Sequence, residues 1–217
     1  MRSYSKTMFE ENFSVLMPVH HSEAPSHLAD SLASIDEQSF SPSELILVKD
    51  ESVPNPELTE VISSQTLDIV VEPISESHTL GRALQRGLEV CSCDVVARMD
   101  SDDIAKNTRF ERQLDFLSTN PDIAAVGSYV AEFVDSIKNP TGIRKVPLRP
   151  DEIGRKARLR CPMNHPSVMF RKEPVMEVGG YRNITAFEDY DLWSRLLLQE
   201  YKLANIPDVL VYARAGE

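Results

Sequence analysis

VVARMDSDDIAKNTRFE (Val95–Glu111) passes from an apolar run to three carboxylates within four positions, Asp100, Asp102 and Asp103, and then into a helical pattern. Val95–Met99 has the near-continuous apolar character of a strand buried on both faces, which is the mark of a parallel sheet. Like charges crowded at the end of such a strand are unfavourable unless a helix cap, solvent or a bound cation offsets them. Thr108–Glu111 reads T-x-x-E, a capping box that would start the next helix by itself and leave the acids without that task. A solvated acidic turn and a calcium loop are the plain alternatives. The second lacks the glycine and terminal glutamate of an EF-hand.

Working outward, Phe13–Val19 (FSVLMPV), Glu44–Val48 (ELILV) and Leu67–Val71 (LDIVV) are further short apolar runs. Helical spacing separates them. Leu28, Leu32 and Ile35 form one stripe. Leu58, Val61 and Ile62 follow the loop marked by Pro54 and Pro56. Leu80, Leu84, Leu88 and Cys91 form a third stripe within Thr79–Cys91. After the acids, Phe110, Leu114 and Leu117 turn inward from a helix over Thr108–Leu117. Strands alternating with helices predict an α/β fold with a mostly parallel sheet covered on both faces. The second half differs. Ile123–Val134 partly alternates and suits a long strand toward the edge of the sheet. Asn139–Pro150 reads as a loop, His165–Phe170 as a short strand, and Glu188–Tyr201 as a helix with Trp193, Leu196 and Leu197 inward. Val209–Tyr212 reads as a last strand.

The chain has 217 residues, 41% hydrophobic and 26% charged, enough for one core and one domain. A net charge of -11 argues against nucleic acid as a partner, because phosphate neutralisation needs a basic surface. It leaves room for a local pocket that takes one diphosphate. No apolar run reaches the roughly 18–20 residues that span a bilayer. The first residues, MRSYSKTMFEEN, lack the apolar core of a signal peptide, so the sequence predicts a cytoplasmic protein or the cytoplasmic face of something larger. Cys91, Cys93 and Cys161 read as free thiols. The C-x-C has no second pair at zinc spacing. The chain stops at Ala215-Gly216-Glu217 without a helical pattern, which suggests a missing C-terminal region.

In open α/β sheets, ligands sit outside the carboxyl ends of the strands. Asp100–Asp103 lie at such an end, and Mg2+ or Mn2+ prefers oxygen ligands, commonly one or two carboxylates plus substrate phosphates. Asp50 follows the second strand, and His20 and His21 follow Pro18 at the end of the first. Asp50 could accept from a base N–H such as uracil N3, and the His20 ring could pack on a base. An Asx-turn and ordinary exposure are the alternatives. Arg82, in the first turn of the third helix after His78, could fork onto a phosphate or a loop carboxylate, or lie on the surface. Asp189, Trp193 and Leu196 fall at i, i+4 and i+7, so Asp189 shares the inward stripe and is a candidate general base. Glu188 closes a second T-x-x-E box with Thr185, and Asp191 suits the helix dipole. His165, among prolines, could meet metal, phosphate or acceptor, or serve structure alone.

In order, V-K-D-E-S (48–52), H-x-L-G-R-A-L (78–84), V-A-R-M-D-S-D-D (96–103), N-H-P-S-V-M-F-R (164–171) and F-E-D-Y-D-L-W (187–193) resemble a family 2 glycosyltransferase of the bacterial polysaccharide type. The resemblance runs from about Phe13 to about Val211. It implies the Rossmann-like GT-A fold, with a nucleotide-sugar half over about 13–103 and a smaller mixed acceptor half over about 104–217. It implies an NDP-sugar donor, UDP-sugar first, a divalent cation (Mn2+ or Mg2+), and inverting transfer to a glycan or lipid-linked saccharide acceptor. Residue by residue, Asp102 would hold the metal and Asp100 would contact ribose, sugar or metal-bound water. Asp50 would read the base, and Asp189 would be the catalytic base. Pro18, His20, Arg82 and Ser101 complete the donor side. His165, Glu188 and Trp193 are candidate acceptor or phosphate contacts. Membrane association would be peripheral, through the missing C-terminal region. Lys49 stands where the family often has a first Asp, and Ala83-Leu84-Gln85-Arg86-Gly87 stands for A-R-N-x-G. Both departures bear on the nucleotide rather than the reaction. A sugar nucleotidyltransferase would want a glycine-rich basic loop, which Pro18–His21 does not supply. A non-catalytic nucleotide-sugar-binding module would not need Asp189.

Overall fold

The computed structural model describes residues 12–75 and 79–215; His78 and the N-terminal residues read above for a signal lie outside this range. In chain order the elements are β1 (Phe13–Val19), α1 (Pro25–Asp36), β2 (Glu44–Asp50), α2 (Pro56–Ser63), β3 (Ile69–Ile74), α3 (Leu80–Val90), β4 (Val95–Arg98), β5 (Ile104–Ala105) and α4 (Arg109–Thr119). Then follow β6 (Ile123–Phe133), β7 (Gly142–Arg144), α5 (Pro150–Lys156), a 3-10 turn at His165–Ser167, β8 (Met169–Arg171), α6 (Lys172–Glu177), α7 (Glu188–Leu198) and β9 (Lys202–Arg214).

One sheet carries all the strands, in the order β3-β2-β1-β4-β8-β6-β9-β5, with β7 paired to β6. The first four are parallel, and β8 enters antiparallel between β4 and β6. The chain leaves β1 toward β2 and β3 on one side, then returns to β4 on the other. Strand order therefore reverses between β1 and β4, and a crevice opens beyond their carboxyl ends. That topology decides where the site lies.

The apolar runs form buried strands because each strand has a helical layer on either side. Phe13, Val15, Met17, Leu45 and Leu47 pack under α1, α2 and α4 through Leu28, Leu32, Ile35, Leu58, Phe110, Leu114 and Leu117. Leu16, Ile46, Val48, Val96 and Phe170 face α3, α5, α6 and α7 through Leu84, Leu88, Ile153, Val175, Leu192, Trp193 and Leu196. Prolines and caps set the helix starts. Pro56 takes the first helical position of α2, and the Asn55 side chain accepts from the Leu58 amide at 3.2 Å. Thr79 does the same for Arg82 of α3.

Gly87 lets α3 lie close to the sheet. A Cβ there would stand 2.3 Å from Leu16 Cδ1 and 2.6 Å from Val48 Cγ2. Gly87→Ala gains helix propensity but overpacks this seam, so a net loss of about 1–3 kcal/mol is expected in urea unfolding. An unchanged midpoint would show that the seam relaxes freely.

Several expectations shift. The third strand is Ile69–Ile74 rather than Leu67–Val71, because it is an edge strand with Val70 and Val71 well exposed. β6 is interior, not edge-ward; β8 and β9 flank it, and its small residues pack rather than face water. A short strand, β7, interrupts the expected 139–150 loop. The expected strand His165–Phe170 is a 3-10 turn followed by β8. The last helix stops at Leu198 rather than Tyr201, and β9 is far longer than Val209–Tyr212. Neither T-x-x-E box forms as a side-chain cap. Ser39 Oγ donates to Glu111 at 2.8 Å, and α7 begins after Phe187, a left-handed residue at φ 65°. Leu80 is partly exposed instead of on the core stripe. Cys91, Cys93 and Cys161 are free thiols.

Candidate active site

A cleft of about 310 Å³ occupies the crevice between the ends of β1 and β4. Pro18, Val19 and His20 line it from β1, Val48 from β2, Leu80 and Ala83 from α3, and Asp100, Ser101 and Asp102 from the loop after β4. Four of the expected donor-side residues, Pro18, His20, Asp100 and Ser101, thus meet the expected metal ligand in one place. Glu23, which sequence reasoning did not single out, joins them. It accepts from Ser101 Oγ at 2.6 Å and anchors the loop to the turn after β1.

The three acids have different partners. Asp100 takes both terminal nitrogens of Arg98, one at 2.5 Å, and its backbone carbonyl accepts from Ser31 Oγ. Arg98 is 2% exposed; burial would lower its pKa, but the charge and hydrogen bond of Asp100, with smaller help from Tyr181 and Asp103, outweigh it and raise the pKa. Asp102 forms no ion pair among the described residues. Burial and the carboxylates of Asp100 and Glu23 push its carboxyl above the ordinary range. Asp103 is buried, accepts from the Arg214 amide at 3.0 Å, and is pushed up to about 7 by burial and by Asp100 and Asp102. It joins the loop to β9, a role the sequence left open. None of the three caps α4.

Beneath the loop, Arg109 is fully buried. It donates to the Arg98 carbonyl at 2.6 Å, to Met99 Sδ at 2.9 Å and to Gln113 Oε1 at 3.0 Å. Burial and Arg98 bring its pKa down to about 9. Gln113 passes the connection on to the Val126 and Ser167 carbonyls. The end of β4 is therefore held by a polar bracket made from α4, β6 and the 3-10 turn.

Asp50 is buried beside the cleft. It accepts from the Ser52 amide at 2.9 Å and lies 2.6 Å from His21 Nδ1. Burial would raise its pKa, but the hydrogen bonds from Ser52 and His21 outweigh it and hold the carboxyl well below the usual range. Arg82 is exposed on the first turn of α3 and does not line the cleft.

The N-termini of α3 and α7 abut. A Cβ on Gly81 would stand 2.1 Å from the Arg182 carbonyl and 3.1 Å from Glu188 Cβ. Glu188 is the buried acid of the pair at the start of α7, and Asp189 is half-buried. The inward stripe of α7 thus runs through Glu188, Leu192, Trp193 and Leu196, and Asp189 sits at its margin. Burial, joined by the charge of Asp189, raises the pKa of Glu188. Asp189 accepts from the Tyr190 amide at 2.7 Å and from Cys161 Sγ at 3.3 Å. The Cys161 contact was not foreseen. Burial and Asp189 push that thiol up to about 12.

His165 Nε2 lies 3.0 Å from the Tyr181 hydroxyl, and Nδ1 lies 3.8 Å from Glu188. Trp193 is fully buried against the His165 ring, so it packs there rather than touching an acceptor. Burial and Arg98 hold His165 well below its ordinary pKa. It stays neutral where an unfolded-state histidine, at about 6.5, takes a proton. Its contribution to stability is therefore full above about pH 6.5 and is lost as pH falls below that value. His165→Gln keeps a partner for Tyr181 and should flatten this acid limb in denaturant melts between about pH 7 and pH 5. An unchanged slope would remove His165 as its source.

The glycosyl transferase family 2 model matches residues 14–179. The chain belongs to glycosyl transferase family 2. This family 2 chain is 37% identical over 206 residues to the amylovoran biosynthesis glycosyltransferase AmsE of Erwinia amylovora, covering 94% of this chain and 76% of that one. It is 40% identical over 204 residues to the UDP-Gal:alpha-D-GlcNAc-diphosphoundecaprenol beta-1,3-galactosyltransferase of Escherichia coli, covering 93% and 74%. The crystal structure of S. aureus TarS 1-349 in complex with UDP-GlcNAc superposes with a TM-score of 0.77 at 17% identity, over 95% of this chain and 59% of that one. The family 2 chain is thus a glycosyltransferase with the GT-A fold. No helix among the described residues is long and apolar enough to cross a membrane.

Proposed function

We propose that the chain is a single catalytic domain that moves a sugar, with inversion, from a UDP-sugar to a hydroxyl of a lipid-linked saccharide. The donor binds in the nucleotide half (about 13–103), and the acceptor meets the half formed by about 104–217, at the cytoplasmic face of a membrane. The observation that carries this reading is the cleft at the β1/β4 reversal, where Asp102 stands near the carboxylates of Asp100 and Glu23 with no ion pair among the described residues. The UDP-GlcNAc complex of TarS and the galactosyltransferase activity of the Escherichia coli relative, which takes UDP-Gal and a diphosphoundecaprenol-linked sugar, support the donor and acceptor classes.

The residues present fit a hard divalent cation. The donor atoms are carboxylate oxygens, and a cation would relieve the repulsion among Asp100, Asp102 and Glu23. Asp102 would hold Mn2+ or Mg2+, which would neutralise charge on the departing diphosphate. Asp100, fixed by Arg98, presents its outer edge to the donor. Asp50 reads the base, and Pro18, His20 and Ser101 shape the walls of the donor site. Arg82 reaches the phosphates only if its exposed side chain folds toward them. Asp189 takes the proton of the attacking hydroxyl, and one displacement inverts the anomeric centre. Glu188 and His165 set the floor on the acceptor side.

The test is a panel of UDP-sugars offered to a saccharide-diphosphate-lipid acceptor with Mn2+, with Mg2+ and with EDTA, the product anomer being read by NMR. Acceptor-dependent release of UDP, an inverted product and loss of turnover in EDTA are expected. A retained anomer would overturn inversion, and turnover in EDTA would overturn the metal. Formation of an NDP-sugar from a nucleoside triphosphate would favour a nucleotidyltransferase.

A further inference from the structure

At the rim of the cleft, three donor atoms converge that the transfer reaction does not need together. His20, His21 and Asp50 each place one ligand atom within 4.8 Å of the others. His21 Nδ1 lies 2.6 Å from Asp50 Oδ2, and His20 Nε2 lies 3.6 Å from the same oxygen. We propose that His20, His21 and Asp50 form a binding site for a borderline transition-metal ion, Zn2+ or a close analogue, separate from the cation at Asp102.

The donors are set before any ion arrives. The Ser52 amide bonds Asp50 Oδ1 at 2.9 Å and leaves Oδ2 facing the two rings. His20 Nδ1 lies 2.7 Å from Ser22 Oγ and 3.3 Å from the Ser22 amide; an ion on Nε2 would take the tautomer whose Nδ1–H donates to Ser22 Oγ, in place of the weaker contact with the amide. The ring centroids are 4.1 Å apart, so the two imidazoles lie beside one another. An ion bonded at about 2.0–2.2 Å separates tetrahedral ligands by roughly 3.4 Å. The His20 contact already has that spacing. The His21 contact opens by under an ångström as its hydrogen bond to Asp50 gives way to the ion. His20 is largely exposed and His21 partly so, which leaves a path for entry and room for water as the fourth ligand.

Ligand type separates the two cation sites. Two imidazole nitrogens and one carboxylate suit Zn2+, Co2+ or Ni2+, whereas the oxygen donors around Asp102 suit Mg2+ or Mn2+. On the reading of Asp50 as the base contact, the two occupants exclude each other, because an ion on Oδ2 occupies the group that would meet the base. Zn2+ then acts as an inhibitor that competes with the nucleotide at a site away from the diphosphate.

The probe is Co2+, titrated into the full chain and followed by its visible absorption, which intensifies in four- and five-coordinate sites. One Co2+ per chain is expected, displaced by Zn2+. Losing a direct ligand should cost at least the about 10–100-fold that follows loss of an outer-shell partner, so His20→Gln and His21→Gln should each weaken the site by that much. Asp102→Asn should leave the absorption intact. No intense band in the wild-type chain, or a band that survives both histidine variants, overturns the proposal. If a variant misfolds, Zn2+ protection of His20 and His21 from diethyl pyrocarbonate, mapped by mass spectrometry on the wild-type chain, decides the same question. Uridine, which lacks phosphates to chelate the ion, tests the exclusion. Co2+ affinity that ignores saturating uridine overturns competition and the base role of Asp50 while leaving the metal site standing.

Discussion

Asp189→Asn is expected to lower the transfer rate by about 10²–10⁴-fold, the contribution of a positioned general base. Asparagine can still accept from the Tyr190 amide, and the half-buried position tolerates a neutral side chain, so the start of α7 should keep its shape. What disappears is the proton acceptor. Saturating-donor kinetics together with calorimetric titration of UDP separate chemistry from binding. Turnover within about tenfold of wild type would remove Asp189 from the role. Glu188→Gln is the matching control, because Glu188 is the more buried neighbour and its carboxyl stands 3.8 Å from His165. If Glu188→Gln is the variant that stops transfer, the two acids have exchanged parts.

Asp100→Asn carries the second large expected effect, this time on stability. Arg98 is 2% exposed, its Nε has no hydrogen-bond partner, and Asp100 is its ion-pair partner among the described residues. Arg109, also buried, donates to the Arg98 backbone, so the substitution leaves two neighbouring guanidinium groups with less negative charge to balance them. Removing one partner of a buried pair costs about 3–5 kcal/mol. Asp100 is about one-third exposed, which places the expectation near the lower end, at about 3 kcal/mol. For a chain of this length that corresponds to a Tm about 6–12 °C lower. Arg98→Met should cost less, because it removes the buried charge rather than stranding it. A smaller loss for Asp100→Asn than for Arg98→Met, both followed by thermal melts, would contradict this account.

The parts of the fold that were legible in the sequence are those decided by local burial. β1, β2 and β4 sit between helical layers, so nearly every side chain is apolar and the runs stand out. β3 is an edge strand and shows a weaker pattern, so its bounds slid by two or three residues. β6 and β9 form the longest pairing, yet Gly127 and Ser128 made β6 look half-solvated, and Pro207 and Asp208 split β9 where the register shifts. A bulged pairing between segments about 80 residues apart leaves no local period to read.

The site divides in the same way. Asp100, Asp102 and Asp189 could be named because acids next to apolar runs are conspicuous, and the parallel strands bring their loops to one edge. Arg98, Arg109, Glu23 and Cys161 were missed because their roles depend on partners distant in the chain or in the fold. One signal was available for the first of these. An arginine inside the run VVARM must be buried with the strand, and a buried guanidinium calls for a carboxylate. The caps misled for the opposite reason. T-x-x-E is a local pattern, and at Thr108 the tertiary contact from Ser39 took the glutamate away.

The bond from the Arg214 amide to Asp103 joins residues 111 positions apart, and Arg214 Nε also reaches the Asp102 carbonyl. On the ribosome, at about 5–20 residues per second, the acids are made roughly 6–20 s before the strand that steadies them. During that interval the nascent chain carries the acidic loop without its last brace. Competence to hold the donor should therefore arrive abruptly with β9, and nascent chains stalled before Arg214 should fail to retain UDP where longer ones succeed.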